Sequence, residues 1–573
     1  MCNKMNGAEA LINSLIIEGV DTVFGYPGGQ IISVYDKLYD YTDKINHILV
    51  RHEQGAIHAA QGYARCSGKT GVVIVTSGPG AANVVTGLAD ALMDSTPLVV
   101  ISGQVSSEFL GTDAFQEVDA VAMTQEVTKW AIQIRRPEDI PSAVARAFYI
   151  ASTGRPGPVV LDISKDAQVG MVDWEHDICS YIRSYNPSPE IDQNIVNQTA
   201  SLINKAKHPL ILAGHGVMIS GAEDELRSVA EKAFIPVGTT LLGLSTFPTD
   251  HPLNMGMLGM HGSIAANMAT ASADVILAVG LRFDDRVTLD LKHYARNAKI
   301  IHINIDPYEL NKNVTVDIPV ASDAKAFLRE LYPMLISRTE SRMAKLKEKC
   351  YAVETEKIIE PEIHPAEGKL KMGEVVRVVS DMAPATSVCV TDVGQNQMFS
   401  ARYYKFTRPR SFITSGGLGT MGYGLPASIG AKVSSPEREV ILFVGDGGIQ
   451  MTIEEFGTIM QYNVGVKIVL LNNNFLGNVR QWQEMFFNGR FSQTPMLNPD
   501  FNKLADAYGI KSRTVYDRSE LKDAVAEMLE CKEAYLLNVE VDETDMIFPM
   551  IPSGGRIDRI LIDEKTFFTT DNL

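Results

Sequence analysis

The chain has 573 residues, and because a single hydrophobic core stops growing at about 250–300 residues, several domains are expected. Apolar residues make up 45% and charged residues 21%, which excludes a disordered or collagen-like chain. The formal net charge of −17 argues against nucleic acid or an anionic membrane as a partner. With no membrane-length apolar run, no leader pattern and six scattered cysteines, we expect a cytoplasmic protein with reduced thiols.

Short apolar runs rich in β-branched residues predict strands that are buried on both faces, as in parallel sheets. In chain order they lie at 71–80, 97–104, 157–166, 208–217, 273–283, 299–307, 386–394, 438–448, 466–474 and 534–542. Helical patterns occur outside these runs, for example at 10–16, 87–94 and 143–152. Strand–helix alternation of this kind predicts an α/β fold.

Two polar, proline-containing segments, 171–195 and 338–366, interrupt the alternation and indicate interdomain connections. They divide the chain into domains at 1–170, 190–337 and 368–550, followed by a tail at 551–573. Each piece has the size and the strand content of one doubly wound domain. The prediction is therefore three doubly wound parallel-sheet domains.

Polar residues end two consecutive predicted strands in the third domain. Gly445-Asp446-Gly447-Gly448 follows one strand, and Asn472-Asn473-Asn474 ends the next. Open α/β sheets bind ligands at the carboxyl ends of their strands, and carboxylate and amide oxygens suit Mg²⁺. The glycines let the backbone approach a diphosphate, and a helix predicted over 449–462 would point its N-terminus at that anion.

The spacing of GDG and NN resembles the fingerprint of thiamine-diphosphate enzymes. This resemblance implies that Asp446, Asn473 and the carbonyl of Phe475 hold the metal. It also calls for a carboxylic acid on another domain that keeps the aminopyrimidine of the cofactor in its reactive tautomer. Glu53, in RHEQG after a short apolar strand, is the candidate, although RHEQG alone is also typical of an acidic first helical turn.

Longer segments resemble one branch of these enzymes, the catalytic subunits of the acetolactate synthase (acetohydroxyacid synthase) family, over nearly the whole chain. The most specific matches are GTDAFQE (111–117), GMLGMHG (256–262), RFDDRVT (282–288) and RQWQ (480–483). The resemblance implies decarboxylation of pyruvate and transfer of a hydroxyethyl group to a second pyruvate, giving 2-acetolactate, or to 2-ketobutyrate, giving 2-aceto-2-hydroxybutyrate. This is the first common step of valine, leucine and isoleucine biosynthesis. The alternative is another thiamine-diphosphate 2-ketoacid enzyme, a catabolic acetolactate synthase or a pyruvate oxidase.

The family resemblance also assigns roles to individual residues. The implied catalytic residues are Glu53, Gln116, Lys165 and Gly29, and the thiamine-binding residues include Met421, Gln397, Gly445, Gly447 and Gly448. The implied acceptor site holds Arg286, Trp482, Phe115 and Met257. An FAD that the net reaction does not consume would be bound by Arg155, Gly214, Gly216, Thr240, Leu241, His261, Gly280, Arg282, Asn304, Asp306 and Asp323. For Arg286, the alternative to binding a carboxylate is a surface ion pair with Asp284 or Asp285.

Four residues depart from those that the family usually has. They are Asn304 for Asp, Asn478 for Met, Asn396 for His and Gln30 for Ala. None replaces Glu53, Asp446 or Asn473, so we expect activity with altered acceptor and inhibitor preferences. Because Glu53 and the diphosphate site meet across a subunit interface in the family, we expect a homodimer or homotetramer, with a small regulatory subunit as a possible further partner.

We predict that Glu53→Gln lowers turnover by about 10²–10⁴-fold, since the amide cannot hold the proton that the aminopyrimidine needs. Steady-state rates with saturating thiamine diphosphate measure the effect. Turnover equal to that of the unchanged protein would contradict the role given to Glu53.

Overall fold

The computed structural model describes residues 4–341 and 343–572. It contains three six-stranded sheets, one after another along the chain. All strand pairs within these sheets are parallel, and helices flank them. The predicted architecture of three parallel-sheet α/β domains is thus confirmed, while the exact domain boundaries stay a prediction.

The first domain has the strand order β3-β2-β4-β5-β7-β6. Its strands are β2 (Thr22–Gly25), β3 (Asn46–Leu49), β4 (Gly71–Val75), β5 (Leu98–Gln104), β6 (Trp130–Ile134) and β7 (Pro158–Ser164), and β1 (Lys4–Asn6) pairs separately with β8 (Met171–Asp173). Its helices are α1 (Gly7–Ile17), α2 (Ile32–Tyr39), α3 (Glu53–Ser67), α4 (Pro79–Asn83), α5 (Val85–Asp94), α6 (Ala120–Thr124), α7 (Ile140–Ser152) and α8 (Lys165–Val169). Residues 71–75, 98–104 and 158–164 are buried throughout, because helices cover both faces of the sheet.

The second domain has the order β11-β10-β9-β12-β13-β14. Its strands are β9 (Pro209–Ala213), β10 (Val237–Thr239), β11 (Asn254–Met257), β12 (Val275–Val279), β13 (Lys299–Asn304) and β14 (Ile318–Ala321). The accompanying helices are α9 (Gln193–Lys205), α10 (His215–Ser220), α11 (Glu223–Ala233), α12 (Ile264–Ser272), α13 (Asp285–Thr288), α14 (Ala324–Leu331), α15 (Ala344–Glu354) and α16 (Glu360–Ile363). The charged segment predicted as a connection over 338–366 is thus largely helical. It is attached to the second domain by a hydrogen bond of 2.7 Å from the backbone N–H of Ile264 to the side chain of Glu354.

The third domain has the order β16-β15-β17-β18-β20-β19. Its strands are β15 (Val388–Thr391), β16 (Phe412–Ile413), β17 (Val440–Gly445), β18 (Lys467–Asn472), β19 (Lys511–Val515) and β20 (Tyr535–Glu540), and the tail adds the pair β21 (Arg559–Leu561) and β22 (Phe567–Thr569). Its helices are α17 (Met372–Met382), α18 (Gln395–Tyr403), α19 (Gly424–Ser434), α20 (Asp446–Ile449), α21 (Phe456–Tyr462), α22 (Gly477–Phe486), α23 (Phe501–Ala507) and α24 (Arg518–Glu530).

The single helix predicted over 449–462 is wrong. The chain forms the short α20, a 3₁₀ turn over Ile453–Glu455 and then α21. Thr452 between them has φ −141° and ψ 26°, which is not helical, and its hydroxyl donates to the carbonyl oxygen of Gly422 at 2.9 Å. A tertiary hydrogen bond therefore breaks a segment whose sequence is compatible with a continuous helix.

All ten predicted strands are present, as are helices over 10–16, 87–94 and 143–152. Among the described residues, no helix combines the length and the apolar character that crossing a membrane requires. The five cysteines among the described residues are free thiols, and Cys2 lies outside the described residues.

The first and third domains meet where α3 packs against α19 at very short range. A Cβ added to Gly62 of α3 would stand 1.9 Å from the carbonyl oxygen of Ala427. Reciprocally, a Cβ on Gly430 of α19 would stand 1.7 Å from the carbonyl oxygen of Ala59. Only glycine allows this approach at both positions, so the two backbones are in direct contact.

We predict that Gly62→Ala destabilises the protein by about 1–3 kcal/mol, because overpacking outweighs the gain of about 0.5–1 kcal/mol in helix propensity. Denaturant unfolding measures the change. The matched control is Gly238→Ala in β10, where the new methyl would lie at an ordinary 3.4 Å from Leu212. Equal effects of the two substitutions would contradict the close contact.

Candidate functional site

The carboxyl ends of β17 and β18 bring the two polar turns of the third domain together. The strands pair in parallel with Gly445 opposite Leu471, so Asp446 and Asn473 follow at the same edge of the sheet. Both side chains are buried, and the Asn473 Oδ1 accepts a hydrogen bond from the N–H of Phe475 at 3.1 Å. The three predicted metal-binding residues therefore lie in one neighbourhood.

Asn498 lies at the centre of this edge, and the sequence analysis missed it. Its amide nitrogen donates to the Oδ2 of Asp446 at 2.6 Å, to the Oδ1 of Asn472 at 2.9 Å and to the Oδ1 of Asn474 at 3.1 Å. Its Oδ1 accepts from Gln450 at 3.1 Å. The residue follows Asp446 by 52 positions, in a segment without helix or strand, so neither periodicity nor motif spacing marks it.

Burial raises the pKa of Asp446 to about 6, because the charged carboxylate is deprived of water. A bound cation would favour the ionised form again. No group of three or more His, Cys, Asp or Glu side chains within 4–341 and 343–572 could hold a metal ion. The candidate donor set is instead a carboxylate, the Asn473 amide and the Phe475 carbonyl, hard oxygen donors that fit Mg²⁺ with its few protein ligands.

The glycines after Asp446 lie in a crowded turn beside Met421. A Cβ on Gly448 would stand 2.4 Å from the Oδ1 of Asp392, and a Cβ on Gly447 would stand 3.6 Å from the Cε of Met421. The N–H of Gly422 also donates to Asp392, at 3.0 Å to Oδ2. Asp392 thus connects the predicted diphosphate turn with the loop that carries Met421.

A buried ion pair holds the start of the same loop. Arg65 of α3 lies 3.2 Å from the Oδ2 of Asp94 and also donates to the carbonyl oxygen of Thr414. Asp94 accepts from the N–H groups of Gly416 at 2.8 Å and Gly417 at 2.7 Å. Two side chains of the first domain therefore fix a loop of the third.

Glu53 is the first residue of α3, behind an N-cap at His52, and its carboxylate accepts from the Nδ2 of Asn83 at 2.9 Å. The N–H groups of Arg51 and His52 donate to the Oε1 of Glu455 in the third domain at 3.0 and 3.2 Å. Glu53 is therefore both an acidic first-turn residue and a carboxylate held at the interface of two domains. The sequence analysis missed Asn83 and Glu455, which have no motif of their own.

The other predicted catalytic residues follow strands of the first domain. Gly29 comes after β2, Phe115 and Gln116 after β5, and Lys165 begins α8 after β7. Phe115 is 84% exposed, and a Cβ on Gly29 would meet no other atom of residues 4–341 and 343–572 within 4 Å. The structure places these residues at the carboxyl edge of their sheet, but in one chain this edge lies open.

A cavity of about 580 Å³ lies between the second domain and the loops of the other two. Its lining includes most residues predicted to bind FAD or the acceptor, namely Arg155, Gly216, Thr240, Leu241, His261, Gly280, Arg282, Asn304, Asp323, Met257, Arg286 and Trp482. It also includes Gln397, which was predicted to bind thiamine diphosphate. Gly214, Asp306 and Phe115 lie outside this lining, although Asp306 accepts from Arg155 at 3.3 Å. The volume is typical of cofactor and ligand sites.

The backbone is closely packed where Gly216 and Gly280 line the cavity. A Cβ on Gly216 would stand 2.6 Å from the Cα of Gly280, which itself has φ +60°. Asn304 donates to the carbonyl oxygen of Leu281 at 3.0 Å and accepts from the N–H of Asp306 at 3.0 Å. Both polar atoms of this amide are thus hydrogen-bonded, and an aspartate carboxylate could not donate the first of these bonds.

Two guanidinium groups in the cavity have weak partners. Arg286 lies 3.6 Å from the Oδ2 of Asp285 and 3.5 Å from the sulfur of Met260. Arg282 lies 2.9 Å from the sulfur of Met93 and 3.8 Å from the Oδ2 of Asp284. Because thioethers are poor acceptors and both carboxylates lie beyond hydrogen-bond distance, both guanidinium groups can still take an anion such as a carboxylate or a phosphate. The surface ion pair that was the alternative for Arg286 exists, with an exposed carboxylate, and does not exclude this binding.

Family models match all three domains. The matches are to the thiamine pyrophosphate enzyme N-terminal TPP binding domain over residues 5–123, the central domain over 196–331 and the C-terminal TPP binding domain over 392–539. These ranges contain Glu53, most of the cavity lining and the Asp446 turn, respectively.

Curated relatives match nearly the full length. An acetolactate synthase large subunit of Buchnera aphidicola is 44% identical over 98% of this chain and 99% of its own length. The acetolactate synthase large subunit of Lactococcus lactis is 44% identical over 99% of this chain and 97% of its own length. The acetolactate synthase isozyme 2 large subunit of Escherichia coli is 43% identical over 96% of this chain and 98% of its own length.

The buried Glu455 carboxyl predicts a pH dependence of stability. Burial raises its pKa from 4.5 to about 7, so between these values the unfolded chain releases the proton while the folded protein keeps it. The contribution of Glu455 to the free energy of unfolding therefore falls as the pH rises from about 4.5 to about 7. Glu455→Gln should be more stable than the unchanged protein at pH 8, by about 1–3 kcal/mol, but not at pH 4.5. Denaturant unfolding at both pH values measures this, and a pH-independent difference would contradict it.

Proposed function

Because the chain belongs to the acetolactate synthase large-subunit family of thiamine pyrophosphate enzymes, we propose that it decarboxylates pyruvate and joins the remaining two-carbon unit to a second 2-ketoacid. Pyruvate as acceptor gives 2-acetolactate, and 2-ketobutyrate gives 2-aceto-2-hydroxybutyrate. The observation that carries this proposal is the match of all three domains and of nearly the whole length to such large subunits. The pathway is branched-chain amino-acid biosynthesis.

Thiamine diphosphate, when bound, supplies the electron sink for decarboxylation. Glu53 is proposed to hold a proton against the aminopyrimidine ring nitrogen, in a position fixed by Asn83 and by Glu455. Met421 is proposed to support the cofactor next to the glycine turn. Gln116 can donate its amide hydrogens to a developing oxyanion. Gly29 and Lys165 lie with it at the carboxyl edge of the sheet of the first domain.

The acceptor is proposed to bind in the cavity. Arg286 would take its carboxylate, since the thioether of Met260 competes only weakly for the guanidinium. Trp482 and Met257 would contact its alkyl group, and Phe115 would close the site from the exposed edge. An alkyl pocket of this kind discriminates an ethyl from a methyl group by only about 1–3 kcal/mol.

Mg²⁺ and FAD are proposed as further cofactors. Asp446, Asn473 and the Phe475 carbonyl would hold Mg²⁺, which would bind the diphosphate oxygens. Gly216, Gly280, Arg155, Arg282 and His261, which line the cavity, would hold the FAD. Burial lowers the pKa of His261 to about 3, so it is neutral, and its buried Nδ1 has no hydrogen-bond partner among the described residues. Such an atom supports a ligand in the cavity.

A homodimer or homotetramer is proposed because the family resemblance places Glu53 and the diphosphate site on opposite sides of a subunit interface, and because Phe115, near Glu53 in the first domain, is 84% exposed in one chain. The exposed edge with Phe115 is the surface that a second copy would cover. A small regulatory subunit is a further proposed partner, suggested by relatives named large subunits. The cytoplasmic location and the domain boundaries at 170, 190, 337, 368 and 550 stay predictions.

Product analysis tests the activity. The protein would be incubated without oxygen with pyruvate, thiamine diphosphate, Mg²⁺ and FAD. We expect 2-acetolactate and carbon dioxide. Acetaldehyde alone would contradict the acceptor site, and acetyl phosphate or acetate formed with oxygen would indicate an oxidase. Omission of FAD or Mg²⁺ tests each cofactor separately.

Mixing two inactive variants tests whether subunits share the site. Glu53→Gln and Asp446→Asn chains are mixed, unfolded and refolded together. If each site takes Glu53 from one chain and Asp446 from the other, half of the dimers regain one intact site, and activity returns to about a quarter. If both residues serve a site within one chain, no mixed dimer recovers. The unmixed variants, refolded identically, are the controls.

A further inference from the structure

We infer that Asn498 is a positioning residue of the proposed Mg²⁺ site, whose side-chain amide holds one oxygen of the Asp446 carboxylate and leaves the other oxygen for the cation. Asn498 would act through Asp446 and would not itself contact the metal ion. The inference rests on the Mg²⁺ site of the proposed function and adds a residue that neither the GDG nor the NN motif contains.

The segment that carries Asn498 is held against the turn after β18 by two backbone hydrogen bonds. The N–H of Met496 donates to the carbonyl oxygen of Asn474 at 2.8 Å, and the N–H of Leu476 donates to that of Thr494 at 3.0 Å. Asn498 follows Met496 by two residues. These bonds bring its side chain to the carboxyl edge of the sheet, although the segment has no helix or strand of its own.

Three side-chain oxygens of this edge converge on one amide nitrogen. The Nδ2 of Asn498 lies 2.6 Å from the Oδ2 of Asp446, 2.9 Å from the Oδ1 of Asn472 and 3.1 Å from the Oδ1 of Asn474. An amide nitrogen carries two hydrogens, so the three acceptors share them. The shortest contact is the one to the carboxylate, as is typical of hydrogen bonds to an ionised acceptor.

The neighbouring side chains fix which way the Asn498 amide faces. Asn472 donates its own Nδ2 to the Oε1 of Glu540 at 2.8 Å, so its Oδ1 faces Asn498. Gln450 donates to the Oδ1 of Asn498 at 3.1 Å and to the carbonyl oxygen of Asp446 at 2.9 Å. An inverted amide would turn its oxygen toward a carboxylate and two other oxygens, and its N–H groups toward the Gln450 donor. The donor side of Asn498 is therefore set toward Asp446.

The two oxygens of the Asp446 carboxylate are consequently in different environments. Oδ2 accepts from the Asn498 side chain, whereas Oδ1 accepts from the backbone N–H of Gly447 at 3.1 Å. Carboxylates that bind metal ions are themselves held by hydrogen bonds from surrounding residues, and loss of such a partner typically weakens metal binding about 10–100-fold. Asn498 has the position and the donor that this role requires.

Binding of Mn²⁺, a paramagnetic substitute for Mg²⁺, tests the inference. The protein is saturated with thiamine diphosphate in the absence of pyruvate, and electron paramagnetic resonance measures the free Mn²⁺. We expect Asn498→Leu, which keeps a branched side chain but cannot donate, to raise the dissociation constant by about 10-fold or more. A smaller increase overturns the inference. A lower dissociation constant would mean that the amide competes with the cation for Asp446, which overturns it as well.

The matched control is Asn502→Leu. Asn502 lies four residues further along the chain, and its Nδ2 donates to the Oγ1 of Thr514 at 2.8 Å. The substitution removes a partly buried amide hydrogen bond of the same kind without touching Asp446. We expect the dissociation constant for Mn²⁺ to equal that of the unchanged protein. Equal weakening by the two substitutions would indicate a general loss of local structure and overturns the inference.

Gln450→Met decides the question if Asn498→Leu does not fold. It keeps the length of the side chain but removes the N–H group that orients the Asn498 amide. We expect weaker Mn²⁺ binding in this variant, because the amide can then turn its oxygen toward Asp446. Unchanged Mn²⁺ binding overturns the inference.

The Mg²⁺ dependence of turnover gives a second readout. Asn498→Leu should raise the Mg²⁺ concentration that gives the half-maximal rate, and a lower kcat with an unchanged Mg²⁺ requirement overturns the inference. If pyruvate gives no 2-acetolactate, the proposed function fails, while Mn²⁺ binding without pyruvate still decides the role of Asn498. If the unchanged protein with thiamine diphosphate binds no Mn²⁺, the inference fails whatever the products are.

Discussion

The contact between α3 and α19 is the constraint on which the site depends. It joins topologically equivalent helices, since α3 follows β3 in the first domain and α19 follows β16 in the third, and the two sheets have the same strand order. Gly62 and Gly430 make the contact reciprocal. The helix α3 begins at Glu53, and α19 follows the loop that carries Met421. The way in which these two helices pack therefore sets the positions of Glu53 and Met421.

Polar residues from several places reinforce this register. Arg65 and Asp94 of the first domain hold the loop that precedes α19, and Glu455 of the third domain binds the backbone just before Glu53. Asn498 joins the turns after β17 and β18. Rigid elements supported by such secondary contacts are what precise positioning of reacting groups requires.

The sequence predicted the fold class, all ten long apolar strands and the neighbourhood of Asp446 and Asn473. The missed strands are mostly edge strands, such as Trp130–Ile134 and Lys511–Val515, whose partly exposed residues lack a continuous apolar run. Asn83, Glu455 and Asn498 were missed for a different reason. Their roles come from hydrogen bonds across long chain separations, which local pattern cannot reveal. The family resemblance located the cavity lining, but only the structure reveals the unpartnered atoms within it.

The glycine contact also has a consequence for how the chain is made. Helix α3 ends at Ser67, and its partner α19 begins only at Gly424, so about 360 residues must be synthesised between them. At about 5–20 residues per second, the small-residue face of α3 waits roughly 20–70 seconds for its partner. During that interval the nascent first domain exposes a surface that only a helix of small residues can cover. The contact that positions the assembled site can therefore form only late in translation.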